Sequence, residues 1–192
     1  MAEARVALIG PFGVGKSSLA KTLVKNEPGP FKYELERLVT SRQRRPGEGD
    51  EEYEFVTQEE FERRKDSYLI VQPNRGVAWN YALPADRALG HDTIRLYTVV
   101  HETADFLRKR FMGETIICAI LPPSDTVLRE RLQGRDPNIT AEELDLRLSL
   151  VQSDTETAMR LADIKFYNRD NLETSAIALN DLLETTIKER SR

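Results

Sequence analysis

The chain has 192 residues, of which 40% are hydrophobic and 31% charged, with a formal net charge of −4 at pH 7. That length suits one α/β domain with insertions and is too short for two independent cores. The acidic balance argues against general affinity for nucleic acid or an anionic membrane, which shows as an excess of positive charge.

No apolar run is long enough to span a bilayer. The opening MAEARVALIG places Glu3 and Arg5 before a very short apolar run, which is not a signal-peptide pattern. Cys118 is the single cysteine, so no internal disulfide forms, and it sits in the apolar run TIICAIL as a buried strand residue. Together these features lead to the expectation of a reducing, cytoplasmic location.

In chain order, Val6–Ile9 reads as the first strand. The glycine-rich segment 10–17, GPFGVGKS, follows, and a helix is predicted over Ser18–Lys25, stopped by Pro28-Gly29-Pro30. A weaker β-rich run lies near Leu38–Thr40. The charged stretch from about 41 to 90 reads as an inserted lobe rather than a separate domain. Further strands are predicted at Ile94–Val100 and Thr115–Leu121. Residues 129–139 are basic and then turn-rich, which suits a flap. A long helix is predicted from Thr140, where Thr140 and Glu143 fit a capping box and Leu144, Leu148 and Val151 follow at helical spacing. Ile164–Tyr167 reads as the last strand. The final helix carries Leu172, Ala176, Leu179, Leu183 and Ile187 on one stripe. Strands alternating with helices predict a parallel sheet covered on both faces.

Gly10, Gly15, Lys16 and Ser17 satisfy the pattern GxxxxGK[ST], with RVALI before it as a strand and SSLAKTLVK after it as a helix. The glycines, Gly13 among them, let the backbone turn tightly and bring its N–H groups to phosphate oxygens. The following helix adds the positive end of its dipole, and Ser18 lies in its first turn. Lys16 is placed to reach the β- and γ-phosphates and Ser17 to ligate Mg²⁺. The fold expected is therefore α/β, a P-loop NTPase three-layer fold with a central parallel sheet, an inserted acceptor-binding lobe and a small lid. The division expected is one domain: core 1–37, 91–128 and 150–192, lobe about 38–90, lid about 129–149.

The segment TSRQRRPGEGDEEYEFVTQEEFE, residues 40–62, together with the P-loop, resembles the guanylate kinase family. Arg42, Arg45, Pro46, Gly47, Glu48, Tyr53, Phe55 and Val56 stand in the family's order. The resemblance continues through LPPS at 121–124, RLQGR at 131–135, Arg147-Leu148-Ser149 and YNRDNLE at 167–173, and so spans nearly the whole chain. It implies ATP and Mg²⁺ as cofactors and a phosphorylated small-molecule acceptor, and it is compatible with a homodimer. It implies that Arg42, Arg45, Tyr53 and Tyr81 grip the acceptor phosphate, a task for which the planar guanidinium fork is suited. It implies that Arg131, Arg135 and Arg147 close over the triphosphate and stabilise the charge of the transferring phosphoryl group. It places Asn168 near the donor adenine. Plainer alternatives stand beside these roles: a solvated basic turn for Arg42, Arg44 and Arg45, paired with Glu51 and Glu52; packing near Trp79 for Tyr81; helix-surface ion pairs for the lid arginines and Arg129; and a helix cap for Asn168.

The sequence departs from the family where guanine is read. The matching positions are Leu38, Gln72 and Leu83. Gln72 accepts only one of guanine's paired N–H donors and offers its own NH₂ as a mismatch, and the leucines offer nothing to a base edge. The strand that carries aspartates in the family reads IRLYTVVHETADF here, with no carboxylate before Glu102, which leaves Mg²⁺ to Ser17, phosphate oxygens and water. His101 and Glu102 read as the start of a helix or, alternatively, as helpers at the metal. Three readings stay open: an ATP-dependent kinase of nucleoside monophosphates, a sugar-phosphate kinase resembling ribose bisphosphate phosphokinases, and a non-catalytic binding or regulatory module.

Overall fold

The computed structural model describes residues 4–45, 48–72, 79–135, 139–169 and 171–190. The first half runs β1 (Ala4–Ile9), α1 (Lys16–Asn26), β2 (Lys32–Leu35), β3 (Leu38–Thr40), β4 (Tyr53–Phe55), α2 (Gln58–Arg63), β5 (Ile70–Val71) and β6 (Tyr81–Leu83). The second half runs β7 (Thr93–Thr98), α3 (His101–Arg110), β8 (Thr115–Leu121), α4 (Asp125–Arg135), α5 (Ala141–Ser149), α6 (Val151–Leu161), β9 (Ile164–Tyr167) and α7 (Leu172–Arg190).

Five strands form one parallel sheet in the order β2-β7-β1-β8-β9. Alternation along β1 explains its unbroken apolar run from Val6 to Ile9. Val6 and Leu8 face one core with Leu19 and Leu23 of α1 and Leu179 and Leu183 of α7. Ala7 and Ile9 face the other core with Ala104 and Leu107 of α3 and Ala158 of α6. A strand buried on both faces has no polar side, so its sequence reads as a continuous run. Each fully buried Leu or Ile contributes about 1.5–3 kcal/mol. This is the α/β, three-layer arrangement expected of a P-loop chain.

The inserted lobe has its own sheet, ordered β4-β3-β6-β5. The β3–β4 pair is parallel and the β3–β6 and β5–β6 pairs are antiparallel. Its outer face packs Val39 and Ala82 on Phe61 of α2. Thr57 caps α2 by accepting from the Glu60 amide at 3.1 Å. Leu38 and Leu83 belong to the main core, so the lobe is welded to the central sheet through β3 and β6.

The helix predicted from Thr140 is two helices. Thr140 does accept from the Glu143 amide at 3.1 Å. α5 then ends at Ser149 and α6 starts at Val151, with Leu150 at φ −84° and ψ −12° between them. The halves serve different partners, since α5 packs on α4 and α6 on β8. The segment predicted to be turn-rich is helical through Arg135, and residues 136–138 of that flap lie outside the described residues. The buried apolar stripe of α7 begins at Ala176, beside the buried Ser175, because Leu172 is 40% exposed at the helix start. The short strand β2 has no signal in the sequence, for its exposed Lys32 and half-buried Glu34 break the apolar pattern.

Candidate active site

The carboxyl ends of the parallel strands, where α/β sheets bind ligands, meet the lobe around a cleft of about 710 Å³. Its donor end is the loop between β1 and α1. Gly10 and Gly15 hold φ of 133° and 95°. A Cβ on Gly10 would lie 2.2 Å from the Ile120 carbonyl oxygen, and one on Gly15 would lie 2.5 Å from Asn168 Nδ2. These approaches require glycine on space as well as on backbone angle. Gly13, Lys16, Ser17 and Ser18 also line the cleft. Lys16 Nζ donates to the carbonyls of Gly10 and Pro11, each at 2.8 Å, which curls the side chain back across the loop. The Leu19 amide bonds the Gly15 carbonyl at 2.9 Å, so the helix starts directly under the loop and its dipole points into the cleft.

Asn168 follows β9 and is 4% exposed. Its Nδ2 donates to the Val14 carbonyl at 2.8 Å. This side chain fixes the phosphate loop from behind, and it also lines the cleft.

The residues expected to hold the acceptor stand on the lobe. Arg45, Tyr53, Gln72 and Tyr81 line the cleft there, with Leu38, Val99 and Val100 as an apolar floor. Arg42 lies beneath them, 4% exposed. Its Nε donates to Tyr81 Oη at 3.2 Å and its Nη2 reaches both oxygens of Glu48, at 3.0 and 2.9 Å. Burial works against the Arg42 cation, yet Tyr81 and Glu48 outweigh it and raise the guanidinium pKa. The same Glu48 accepts from the Arg45 amide at 2.9 Å. Glu48 therefore holds both Arg42 and the Arg45 backbone. The Tyr53 and Tyr81 rings sit 5.8 Å apart, and the Arg42 guanidinium lies 5.3 Å from the Tyr53 ring. The expected ion pairs of these arginines are otherwise disposed: Arg44 bonds Asp50, while Glu51 and Glu52 face Lys21. Pro46 and Gly47 of the motif lie outside the described residues. Leu83 is 1% exposed within the main core and does not line the cleft.

Arg131 of α4 and Arg147 of α5, both from the segment expected to form a lid, also line the cleft. A Cβ on Gly15 would lie 3.9 Å from Arg131 Nη1, which puts that guanidinium beside the phosphate loop. Arg147 is 5% exposed, bonds Glu143 and stacks 5.4 Å from the Phe12 ring of the loop. Arg135 ends α4, and its side chain lies outside the described part. Arg129 points away to Asp145 at 3.8 Å. His101 and Glu102 start α3 and do not line the cleft.

Two buried acids at the cleft, Glu52 and Asp154, were not singled out in the sequence. Glu52 stands in the charged run GEGDEE, where Asp50 and Glu51 beside it are exposed, and only its place next to Tyr53 marks it. Asp154 lies on α6, in a polar sequence that reads as solvated surface. Cys118 is fully buried, and that burial pushes its thiol pKa up, away from reactivity. Among the described residues no helix is long and apolar enough to cross a membrane.

Residues 3–75 match the family model described as guanylate kinase. A guanylate kinase of Bartonella quintana is 32% identical over 95% of this chain and 82% of its own length. One of Brucella melitensis is 30% identical over 97% of this chain and 84% of its own. The crystal structure of a guanylate kinase from Anaplasma phagocytophilum superposes with a TM-score of 0.70 at 19% identity, covering 97% of this chain and 87% of the other. With about a third of the residues identical across nearly the whole chain and most of the relative's length, the chain belongs to the guanylate kinase family.

Proposed function

We propose that this protein is an ATP-dependent phosphotransferase that moves the γ-phosphate to a small phosphorylated acceptor, by default a nucleoside monophosphate. The observation that carries the reading is the cleft itself, where an intact phosphate loop faces Arg45, Tyr53 and Tyr81 across one space. Two phosphate-binding ends in one cleft hold donor and acceptor in line, and positioning of that kind supplies much of the rate in phosphoryl transfer.

The residues have distinct tasks. Loop amides and the α1 dipole hold the β- and γ-phosphates. Lys16 leaves the Gly10 and Pro11 carbonyls for the triphosphate, at little cost, because it exchanges two hydrogen bonds for stronger charged ones. Arg131 and Arg147 place positive charge beside the transferring group, with Arg135 as their third member. Arg45, Tyr53 and Tyr81, held by Arg42 and Glu48, orient the acceptor phosphate. Ser17 offers a hydroxyl oxygen to Mg²⁺, a donor that fits this hard cation. When bound, the cation would neutralise part of the negative charge of the β- and γ-phosphates.

The acceptor's base is the point at which a second reading gains support. GMP is the family's acceptor. Here Leu38 lines the floor and Leu83 is withdrawn into the core, so neither hydrogen-bonds a base edge. An acceptor without a base, such as ribose 1,5-bisphosphate, suits that floor. A non-catalytic module is disfavoured by Lys16 and Ser17 standing in place at the cleft.

A coupled ADP-release assay tests the reading with GMP, AMP, CMP, UMP, their deoxy forms and ribose 1,5-bisphosphate. At least one is expected to stimulate ATP turnover, and Lys16→Ala to abolish it. Stimulation by ribose 1,5-bisphosphate alone selects the sugar-phosphate reading. Silence with every acceptor overturns the kinase.

A further inference from the structure

Glu52 is 4% exposed, and a carboxylate at that depth costs several kcal/mol unless its charge is answered. The ion pair it makes among the described residues is with Lys21 Nζ at 3.7 Å, beyond hydrogen-bond reach, on a side chain 41% exposed. Its other contacts are neutral hydroxyls. Ser17 Oγ donates to Glu52 Oε1, and Thr98 Oγ1 lies 3.5 Å from the same oxygen. The carboxylate is buried, aimed into the cleft and under-compensated.

Its position has a chemical meaning. P-loop nucleotidases hold Mg²⁺ with the loop Ser/Thr and a strand carboxylate. β7 lies beside β1, and its carboxyl end reads Thr98, Val99, Val100, with no acid. All three residues line the cleft. Glu52 comes from the other side, from the lobe just before β4, and ends on the hydroxyls of both Ser17 and Thr98.

We propose that Glu52 is the carboxylate of the Mg²⁺ site, supplied by the acceptor lobe in place of a strand acid. This rests on the donor-site reading above. The donor set fits the cation, since a serine hydroxyl and a carboxylate are both hard oxygens. By accepting the Ser17 proton, Glu52 turns the Ser17 lone pairs toward the cleft. Its second oxygen, opposite Lys21, takes the cation or a water bound to it. Glu52 directly precedes Tyr53 of the acceptor clamp, so one strand start serves the cation and the acceptor together.

Calorimetric titration of the full chain with a non-hydrolysable ATP analogue, with and without Mg²⁺, measures how far the cation tightens binding. In Glu52→Gln that factor is expected to fall about tenfold or more, the usual effect of losing a group that orients a metal ligand. Metal-free affinity stays or rises, since a negative charge near the phosphates is gone, and this also shows the variant to be folded. Glu52→Asp keeps a carboxylate and is expected to keep most of the factor. An unchanged factor in Glu52→Gln overturns the assignment and leaves the donor site standing. Equal losses in the Gln and Asp variants make Glu52 a packing residue and overturn it too. A wild-type protein indifferent to Mg²⁺ overturns the donor reading and the assignment together.

Discussion

Arg95→Met removes the central charge of a buried cluster while keeping most of the side-chain volume. Arg95 is 2% exposed on β7. Its guanidinium lies 3.2 Å from Glu34, 3.4 Å from Glu36 and 3.9 Å from Asp86, and it donates to the carbonyls of Arg87 at 2.8 Å and Ala88 at 3.1 Å. It thereby ties the connection from β6 back to the sheet. In the variant, Glu36, itself 6% exposed, keeps as its ion-pair partner among the described residues only Arg87 at 3.6 Å, on a side chain 61% exposed. Breaking one partner of a buried pair costs about 3–5 kcal/mol. At about 2–4 °C per kcal/mol for a chain of this size, the melting temperature falls by roughly 10 °C. The pH dependence follows from Glu36. Burial raises its carboxyl pKa even though Arg87 and Arg95 pull it down, and loss of Arg95 raises it further. A carboxyl raised in the folded state contributes stability below its unfolded pKa and loses that contribution as pH rises through the folded one. The deficit against wild type is therefore largest at neutral pH and shrinks toward about pH 5. Urea unfolding across that range reads it directly. A variant as stable as wild type at neutral pH, or a deficit that grows on acidification, refutes the reasoning. Nucleotide affinity of the folded variant is expected to hold, since Arg95 does not line the cleft.

Arg45→Ala is expected to lower kcat/KM for the acceptor by about 10–100-fold, the worth of a charged hydrogen bond of about 1.5–3 kcal/mol, with the KM for ATP near wild type. Unchanged acceptor kinetics remove Arg45 from the clamp. Asn168→Ala leaves the Val14 carbonyl without its donor, a loss of about 1–3 kcal/mol at a buried group. Fluorescent-nucleotide titration is expected to show about tenfold weaker binding through a loosened phosphate loop. Equal affinity with lower thermal stability makes Asn168 purely structural.

The sequence displayed what is locally determined. β1 and β8 appear as apolar runs because both of their faces are buried. The edge strand β9 alternates instead, with Ile164 and Phe166 buried and Lys165 and Tyr167 exposed. The phosphate loop appears because its glycines, lysine and serine are close in sequence. The cap of α5 is likewise contained within Thr140 and Glu143. What could not be read depends on distant partners. β2 is a strand only because it pairs with β7, from Lys32↔Thr93 to Leu35↔Leu96. The break at Leu150 reflects packing on two different elements. Glu52 looks like one acid among several until the fold sets it against Ser17, a residue 35 positions earlier. The same holds for Glu48, whose grip on Arg42 and the Arg45 amide orders a turn that reads as merely basic in the sequence.

Acceptor choice then comes down to few polar groups. Leu38 contributes shape alone, Leu83 lies outside the cleft, and on the proposed reading the clamp binds phosphate, which every candidate acceptor carries. Gln72 is the remaining polar side chain of the base-reading positions. It is 8% exposed, lines the cleft, and its Nε2 has no hydrogen-bond partner among the described residues. A buried donor left unmade costs about 1–3 kcal/mol, so an acceptor that offers an oxygen or ring nitrogen to Nε2 gains that much over one that does not. Guanine's paired N–H donors face the amide with one match and one clash. Gln72→Glu reverses the pattern: it presents two acceptors and should move preference toward GMP. A ranking of acceptors that is the same in Gln72→Glu as in wild type takes Gln72 out of recognition and leaves the apolar floor as the selector.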